Sequence, residues 1–306
     1  MTAKHIVVVG SSNMDLVAKA PRIPVPGETL TGTDFFIAPG GKGANQAVAA
    51  AKLGADVIFV AKLGLDVFAA KSLENFESVN INTKHIEQLD GVPSGTAVIA
   101  IDDDGQNVII IIPGANGKLT PADVDKAEAD IADAAVVVAQ LEVPIETVEQ
   151  AAKVANKNNV PFILDPAPAK PLSDELLGMV DIIKPNETEA EILTDIKVTD
   201  EASAAKAADA LLAKGIGTVI ITLGDKGLML ATKDAKEMIP NNKVKAVDTT
   251  AAGDAFTGAL AFGLANGSSI KDACAYANIV AAISVTRYGA QPSMPTKQEA
   301  DEFTGK

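Results

Sequence analysis

Short, almost wholly apolar runs punctuate the chain at residues 6–9, 57–60, 135–138, 162–164 and 219–223. A strand with one wet face alternates apolar and polar positions, whereas a run that is apolar throughout is covered on both faces. These runs therefore predict buried strands of a parallel sheet. Helical patterns lie between them. Residues 43–53 are Ala-rich and stop at Gly54, a suitable C-cap. Thr120-Pro121 opens another helix, with a capping hydroxyl and a proline where a missing N–H costs nothing. Residues 145–155 and 201–213 continue the alternation, the second stopping at Gly215. The expected fold class is α/β, a central and mostly parallel sheet flanked by helices, with residues 1–306 forming one domain.

Two regions break this rhythm. Residues 12–38 hold Pro21, Pro24, Pro26 and Gly27 around short extended pieces, and residues 95–112 read as two strands joined by a turn at Asp103-Asp104-Gly105. Together they predict a small β-sheet lid standing off the main sheet. Its apolar face, with Val98, Ala100, Val108 and Ile110, must be buried against something: a ligand, a subunit or both. An extra edge hairpin of the main sheet is the alternative.

The charge excludes some partners. Lys and Arg total 26 against 40 Asp and Glu, for a net charge of −14. Such a surface repels nucleic-acid backbones and anionic lipid, although a local ring of backbone N–H groups can still hold an anion. The single cysteine, Cys274, allows no internal disulfide, sits in an Ala-rich run that suits burial, and fits a reducing, cytoplasmic setting. The apolar stretch before Gly10 is too short for a signal segment, and no later one reaches the ~18 residues of a membrane span.

The segment 246–256, AVDTTAAGDAF, carries the most chemistry. It runs from an expected strand into a helix, and Gly253 permits a tight backbone path before Asp254. The small side chains of Ala251, Ala252 and Gly253 leave the amides at the helix start uncovered, a site for phosphate oxygens. Asp254 is then placed to take a proton from an attacking hydroxyl; on composition alone it could equally be a helix cap. A second glycine-rich piece, APGGKGAN at 38–45, opens another helix but has Gly43 where a Walker loop needs Ser or Thr. Its closely spaced glycines, with Lys42 and Asn45, suit a polyhydroxylated ligand or a plain structural turn. The opening VGSSNMD at 9–15 lacks the second and third glycines of a dinucleotide fingerprint. Asn186 and Glu189 fall on one face of a helix after Pro185, either as a cap with a solvated acid or as a water-orienting pair. The turn at Thr222-Leu223-Gly224 closes a strong strand, where nucleotide sites of α/β sheets gather.

The stretches GGKGAN, KPNETE, DTTAAGDAF and VTRYGAQPS, in that order, resemble the ribokinase-like (PfkB-type) carbohydrate kinase family over nearly the whole chain. That resemblance implies ATP-dependent phosphorylation of a small sugar, with D-ribose and its 5-hydroxyl favoured. Deoxyribose, fructose or a nucleoside are the alternatives, and a non-catalytic sugar sensor is a more distant one. It implies Asp254 as catalytic base and the amides of Ala251, Ala252, Gly253 and Asp254 as an anion hole. Sugar contacts would be Asn13, Asp15, Gly41, Lys42, Asn45, Glu142 and Asp254. The nucleotide side would be Asn186, Thr222, Gly224, Gly227, Gly253 and Asn278, with Glu189 near a magnesium ion. Asn278 departs from the family's usual histidine, which touches only the detail of base contact. An activating potassium ion would meet Asp248, Thr250, Ser284, Arg287, Gly289 and Ser293, several through backbone carbonyls. The resemblance also implies a homodimer formed through the lid, with neither nucleic acid nor membrane as partner.

Overall fold

The computed structural model describes residues 4–303. Among them the first strands are β1 (Ile6–Val9), β2 (Asn13–Lys19), β3 (Asp34–Gly40), β4 (Val57–Gly64), β5 (Asn82–Leu89), β6 (Gly95–Ile101) and β7 (Asn107–Ile112). There follow β8 (Val136–Ala139), β9 (Phe162–Leu164), β10 (Ile182–Ile183), β11 (Thr218–Thr222), β12 (Leu228–Thr232) and β13 (Lys236–Ile239). Nine of these make one sheet in the order β13-β12-β11-β10-β9-β8-β1-β4-β5. Pairing is parallel from β5 to β11, and β12 and β13 add antiparallel at one edge. The fold is α/β, with helices on both faces of this sheet and a separate, smaller sheet.

The apolar runs form the sheet because each side chain has a covered face to enter. In β1, Val7 and Val9 join one core while Ile6 and Val8 join the other, all four essentially without solvent exposure. Burying each such side chain favours folding by roughly 1.5–3 kcal/mol. The first core packs under helices that include Ile145–Lys157 and Glu201–Leu212; the second packs under Lys42–Lys52, Ala252–Ala265 and Ile270–Ser284. Alanine lets the helices Lys42–Lys52 and Ala252–Ala265 approach closely. At Gly258 a methyl group would sit 2.6 Å from both the Ala49 side chain and the Gln46 carbonyl. That contact fixes the register of the two helices, and both open at the same end of the sheet.

The two irregular regions form one four-stranded sheet, β3-β2-β6-β7, rather than a hairpin on the main sheet. The turn falls where expected, with Gly105 at φ 79° and its amide bonded to the Asp102 carbonyl at 3.0 Å. The expected apolar face is present but not covered within the chain. Val98 pairs with Ile110 and Ala100 with Val108 on the side opposite Asp15, and Ile110 is 60% exposed. Phe35 and Ile37 of β3 extend the same face.

Candidate active site

The carboxyl ends of the parallel strands converge on one crevice, the place where open α/β sheets bind ligands. Ser11 follows β1, Glu142 lies beyond β8, Asp165 follows β9, Lys184 follows β10 and Thr222 closes β11. The helix Ala252–Ala265 points its first turn into this crevice. Ala251 caps that helix in a left-handed conformation, φ 57° and ψ 17°, at a cost of roughly 1–2 kcal/mol for a residue with a Cβ. The tight backbone path expected at Gly253 thus falls at Ala251 instead. Strain of this kind persists where surrounding structure enforces it, commonly at functional sites. The Ala252 amide bends back to the Thr249 carbonyl at 3.2 Å. The amides of Ala251, Gly253 and Asp254 have no backbone partner and form the donor set at the helix mouth.

Asp254 is 4% exposed, and both its oxygens accept hydrogen bonds from the glycine-rich helix. Asn45 Nδ2 donates to Oδ2 at 2.9 Å and Gln46 Nε2 donates to Oδ1 at 3.0 Å. Each amide is held in turn: Gln291 Nε2 donates to Asn45 Oδ1 at 3.0 Å, and Gln140 Nε2 to Gln46 Oε1 at 2.7 Å. The carboxylate therefore has one orientation, and it is not a cap, since it accepts no bond from its own helix start.

On one side of Asp254 lies a polar pocket between the two sheets. Glu142 Oε2 accepts from Ser11 Oγ at 2.6 Å and from the Lys42 amide at 2.9 Å. Asn13 Oδ1 accepts from Asn116 Nδ2 at 2.7 Å, which aims the Asn13 amide. The Asp254 carboxylate, and behind it Asp165 and Glu142, hold the Lys42 ammonium well above the ordinary lysine range. Burial, with Glu142 and Asp254 nearby, pushes the Asp15 carboxyl up from 3.8 to about 6. The folded chain thus binds that proton more tightly than the unfolded chain. Stability falls as pH rises from about 4 through about 6 and stays reduced above. Asp15→Asn should accordingly raise the melting temperature of the ligand-free protein at neutral pH. At about pH 4, where the wild-type group is already protonated in both states, the gain should vanish; an equal gain at both pH values would contradict this ionisation.

On the other side is a cleft of about 370 Å³ lined by Lys42, Asn186, Glu189, Thr222, Gly224, Gly227, Ala251, Ala252, Gly253, Asp254 and Asn278. Of the residues expected on the nucleotide side, all six line it, with Glu189 beside them. Asn186 and Glu189 form a reciprocal capping box, each side chain 2.9 Å from the other's amide. Burial, then the neighbouring Asp165, raises the Glu189 carboxyl above its ordinary value. Asn278 Nδ2 donates to the Pro240 carbonyl at 3.3 Å.

Of the six residues expected around a monovalent cation, Asp248, Thr250 and Gly289 are tied together next to the Ala251 turn. Asp248 accepts from the Thr250 amide and hydroxyl at 2.9 and 2.6 Å and from the Gly289 amide at 2.9 Å, tying two loops together. Burial alone would raise the Asp248 carboxyl, but these donors outweigh it and hold the group below the usual range. The hydroxyls of Ser284 and Ser293 donate to the carbonyls of Ala281 and Ala290.

Several residues of this site escaped the sequence reading: Ser11, Gln46, Asn116, Gln140, Asp165, Lys184 and Gln291. Asp165 and Lys184 form a buried ion pair at 3.0 Å beside the helix mouth. The polar residues following the apolar runs at 135–138 and 162–164 were the available signal, because polar groups just past buried strands stand at the crevice.

The chain is similar to known proteins over nearly its whole length. Residues 3–297 match the family described as pfkB family carbohydrate kinase. The ribokinase of Haemophilus influenzae is 47% identical over 300 residues, covering 98% of each chain. The deoxyribokinase of Salmonella typhi is 40% identical over 299 residues, covering 97% of this chain and 98% of its own. The solved structure of Arabidopsis thaliana ribokinase complexed with ribose and ATP superposes with a TM-score of 0.94 at 34% identity, covering 99% of this chain and 100% of that one.

Proposed function

The chain belongs to the pfkB family of carbohydrate kinases, ATP-dependent enzymes, and from that premise we propose that it phosphorylates D-ribose at the 5-hydroxyl to give ribose 5-phosphate and ADP. One observation carries the reading: a carboxylate fixed by two amide side chains stands between a polar pocket and a cleft, beside unpartnered main-chain donors. Asn13, Asp15, Gly41, Lys42, Asn45 and Glu142 supply donors and acceptors of both kinds to a polyol in the pocket. Asp254 accepts the proton of the attacking hydroxyl. The amides of Ala251, Gly253 and Asp254 face the charge that gathers on the transferring phosphoryl oxygens, an interaction worth most at the transition state. Asn186, Thr222, Gly224, Gly227 and Asn278 line the space for the nucleotide.

The residues fit two cations. Asp165 Oδ1 is buried without a hydrogen-bond partner, and with Glu189 it offers hard oxygen to a hydrated Mg2+. Bound there, magnesium would neutralise phosphate charge. Asp248, Thr250, Ser284, Arg287, Gly289 and Ser293 offer only oxygen donors to K+ if Arg287 and Gly289 act through carbonyls, and Asp248 keeps its negative charge for it. An ADP-release assay with ribose, deoxyribose, fructose and nucleosides, with and without potassium, tests the reading. Ribose with potassium should give the highest kcat/KM. A nucleoside or deoxyribose optimum would replace the substrate, and no turnover by folded protein on any of them would leave a sensor.

The small sheet serves as a lid over the pocket and as the contact between two copies of the chain. Phe35, Ile37, Val98, Val108 and Ile110 make one exposed apolar face, more than a lone monomer ordinarily leaves in water. Ile110→Asp, which sets a charge in that face, should halve the mass seen by sedimentation velocity; a wild-type monomer at micromolar concentration would remove the dimer. The single thiol, Cys274, is buried and pushed up to about 12, chiefly by burial, which suits a cytoplasmic enzyme without disulfides.

A further inference from the structure

The Gly253 carbonyl and the Asp254 amide are the two ends of one peptide group, and the chain grips the oxygen end. Lys184 Nζ donates to that carbonyl at 3.3 Å, and Thr257 Oγ1 lies 2.9 Å from it. The threonine hydroxyl also stands 3.3 Å from Asp165 Oδ2, so its one proton goes to the nearer carbonyl. Lys184 is neutralised by Asp165 at 3.0 Å, and both side chains are almost wholly buried. Gln46 Nε2 then closes the circuit, 2.8 Å from Asp165 Oδ2 and 3.0 Å from Asp254 Oδ1. A buried ion pair of this kind adds little net stability once desolvation is counted. Its placement against a single peptide group is what needs a reason.

We infer that Lys184 and Thr257 are positioning residues that act through the 253–254 peptide, holding its carbonyl so that the Asp254 N–H points into the crevice as a strengthened donor. A peptide whose oxygen is bonded to an ammonium and a hydroxyl carries more positive charge on its N–H, because hydrogen bonds in a chain polarise one another. The same peptide leads directly to the base. Fixing its plane fixes the distance between the amide that receives charge and the carboxylate that removes the proton. Asp165 holds the Lys184 side chain in place, and through Gln46 it shares a donor with the carboxylate. The inference rests on the proposed phosphoryl transfer and names two further residues within it.

Thr257→Val removes only the hydroxyl from a helix position and keeps the shape, so the protein should fold. Its kcat at saturating ribose and ATP should fall about tenfold. Affinity for ADP with aluminium fluoride in the presence of ribose, a mimic of the transferring phosphoryl group, should fall alongside it. KM for both substrates should stay within about threefold, because the amide matters most as charge develops. Thr257→Ser should restore most of the loss. Lys184→Met should lower kcat about 100-fold with the same pattern; if it fails to fold, the Thr257 pair decides. Unchanged kcat and fluoride affinity in Thr257→Val would overturn the inference. So would a Lys184→Met variant whose KM for ATP rises more than tenfold while Thr257→Val is silent, which would make Lys184 a direct phosphate ligand. Wild-type turnover is the control: its absence would sink the kinase reading instead.

Discussion

Asp254→Asn is expected to lower kcat by about 10³–10⁴-fold, the upper part of what a positioned general base contributes. The structure says why the change should act on chemistry more than on fold. Both carboxylate oxygens accept, from Asn45 Nδ2 and Gln46 Nε2. An asparagine must turn its NH2 toward one of these donors, and neither partner is free to flip. Gln291 holds Asn45 and Gln140 holds Gln46 by their oxygens. One donor–donor contact costs roughly 1–3 kcal/mol. Removing the charge relieves Asp15 and deprives the Lys42 ammonium of its strongest partner, two effects of opposite sign. Melting should thus drop by only a few degrees and sugar binding by calorimetry should persist. Turnover near wild type would take Asp254 out of the reaction.

Gly41→Ala is expected to have the second largest effect, on stability and sugar affinity together. Gly41 sits at φ 87° at the start of the helix Lys42–Lys52, and a Cβ there would meet the Asn13 amide nitrogen at 2.6 Å and the Ser12 Cα at 2.9 Å. These are backbone atoms of the segment leading into β2 and cannot swing aside. The conformational cost of about 1–2 kcal/mol adds to an overpacking cost of about 1–3 kcal/mol. Relief requires Asn13 and β2 to move away from Lys42 and Glu142, which opens the pocket. Thermal melts and the KM for sugar report the two consequences separately. A variant with wild-type melting and KM would show that this approach is not close in solution.

Much of this was legible in the chain, for identifiable reasons. The strands β1, β4, β8, β9 and β11 declared themselves because they are buried on both faces; β1 and β9 kept their expected bounds, β8 and β11 shifted by one residue, and β4 ran on to Gly64. The edge strand β5, with the sequence NTKHIEQL, was not among the expected strands, because it has no apolar run and its polar side chains face solvent or the Asp130 carboxylate, as His85 and Lys84 do. Strand β10 is two residues long and offers no period at all. The hairpin of β12 and β13 carries Lys236 and Glu237 on an outer edge. For the site, the glycine-rich helix start and the small residues at the mouth of the helix Ala252–Ala265 stood out locally, while the role of Asp254 rested on the family resemblance. Gln46, Asp165 and Gln291 did not stand out. Gln46 meets residues 119 and 208 positions away, and Gln291 meets one 246 positions away. Such bonds leave no trace in local pattern; only the packing of two helices over one sheet creates them.

The bond from Gln291 to Asn45 also makes the setting of the Asp254 carboxylate depend on a distant stretch of the chain. The glycine-rich helix and the helix Ala252–Ala265 both precede that stretch, and the side chain that steadies Asn45 lies 246 positions after it. Lys52 Nζ fastens that late segment by bonding the carbonyls of Gln291 and Met294, both at 2.9 Å. A single domain gains its structure as a unit rather than piece by piece. A chain cut before Gln291 would lose the support of Asn45 together with Met294 and Ala300, which pack in the second core. Removal of residues from 291 onward is expected to lower stability and turnover together rather than turnover first.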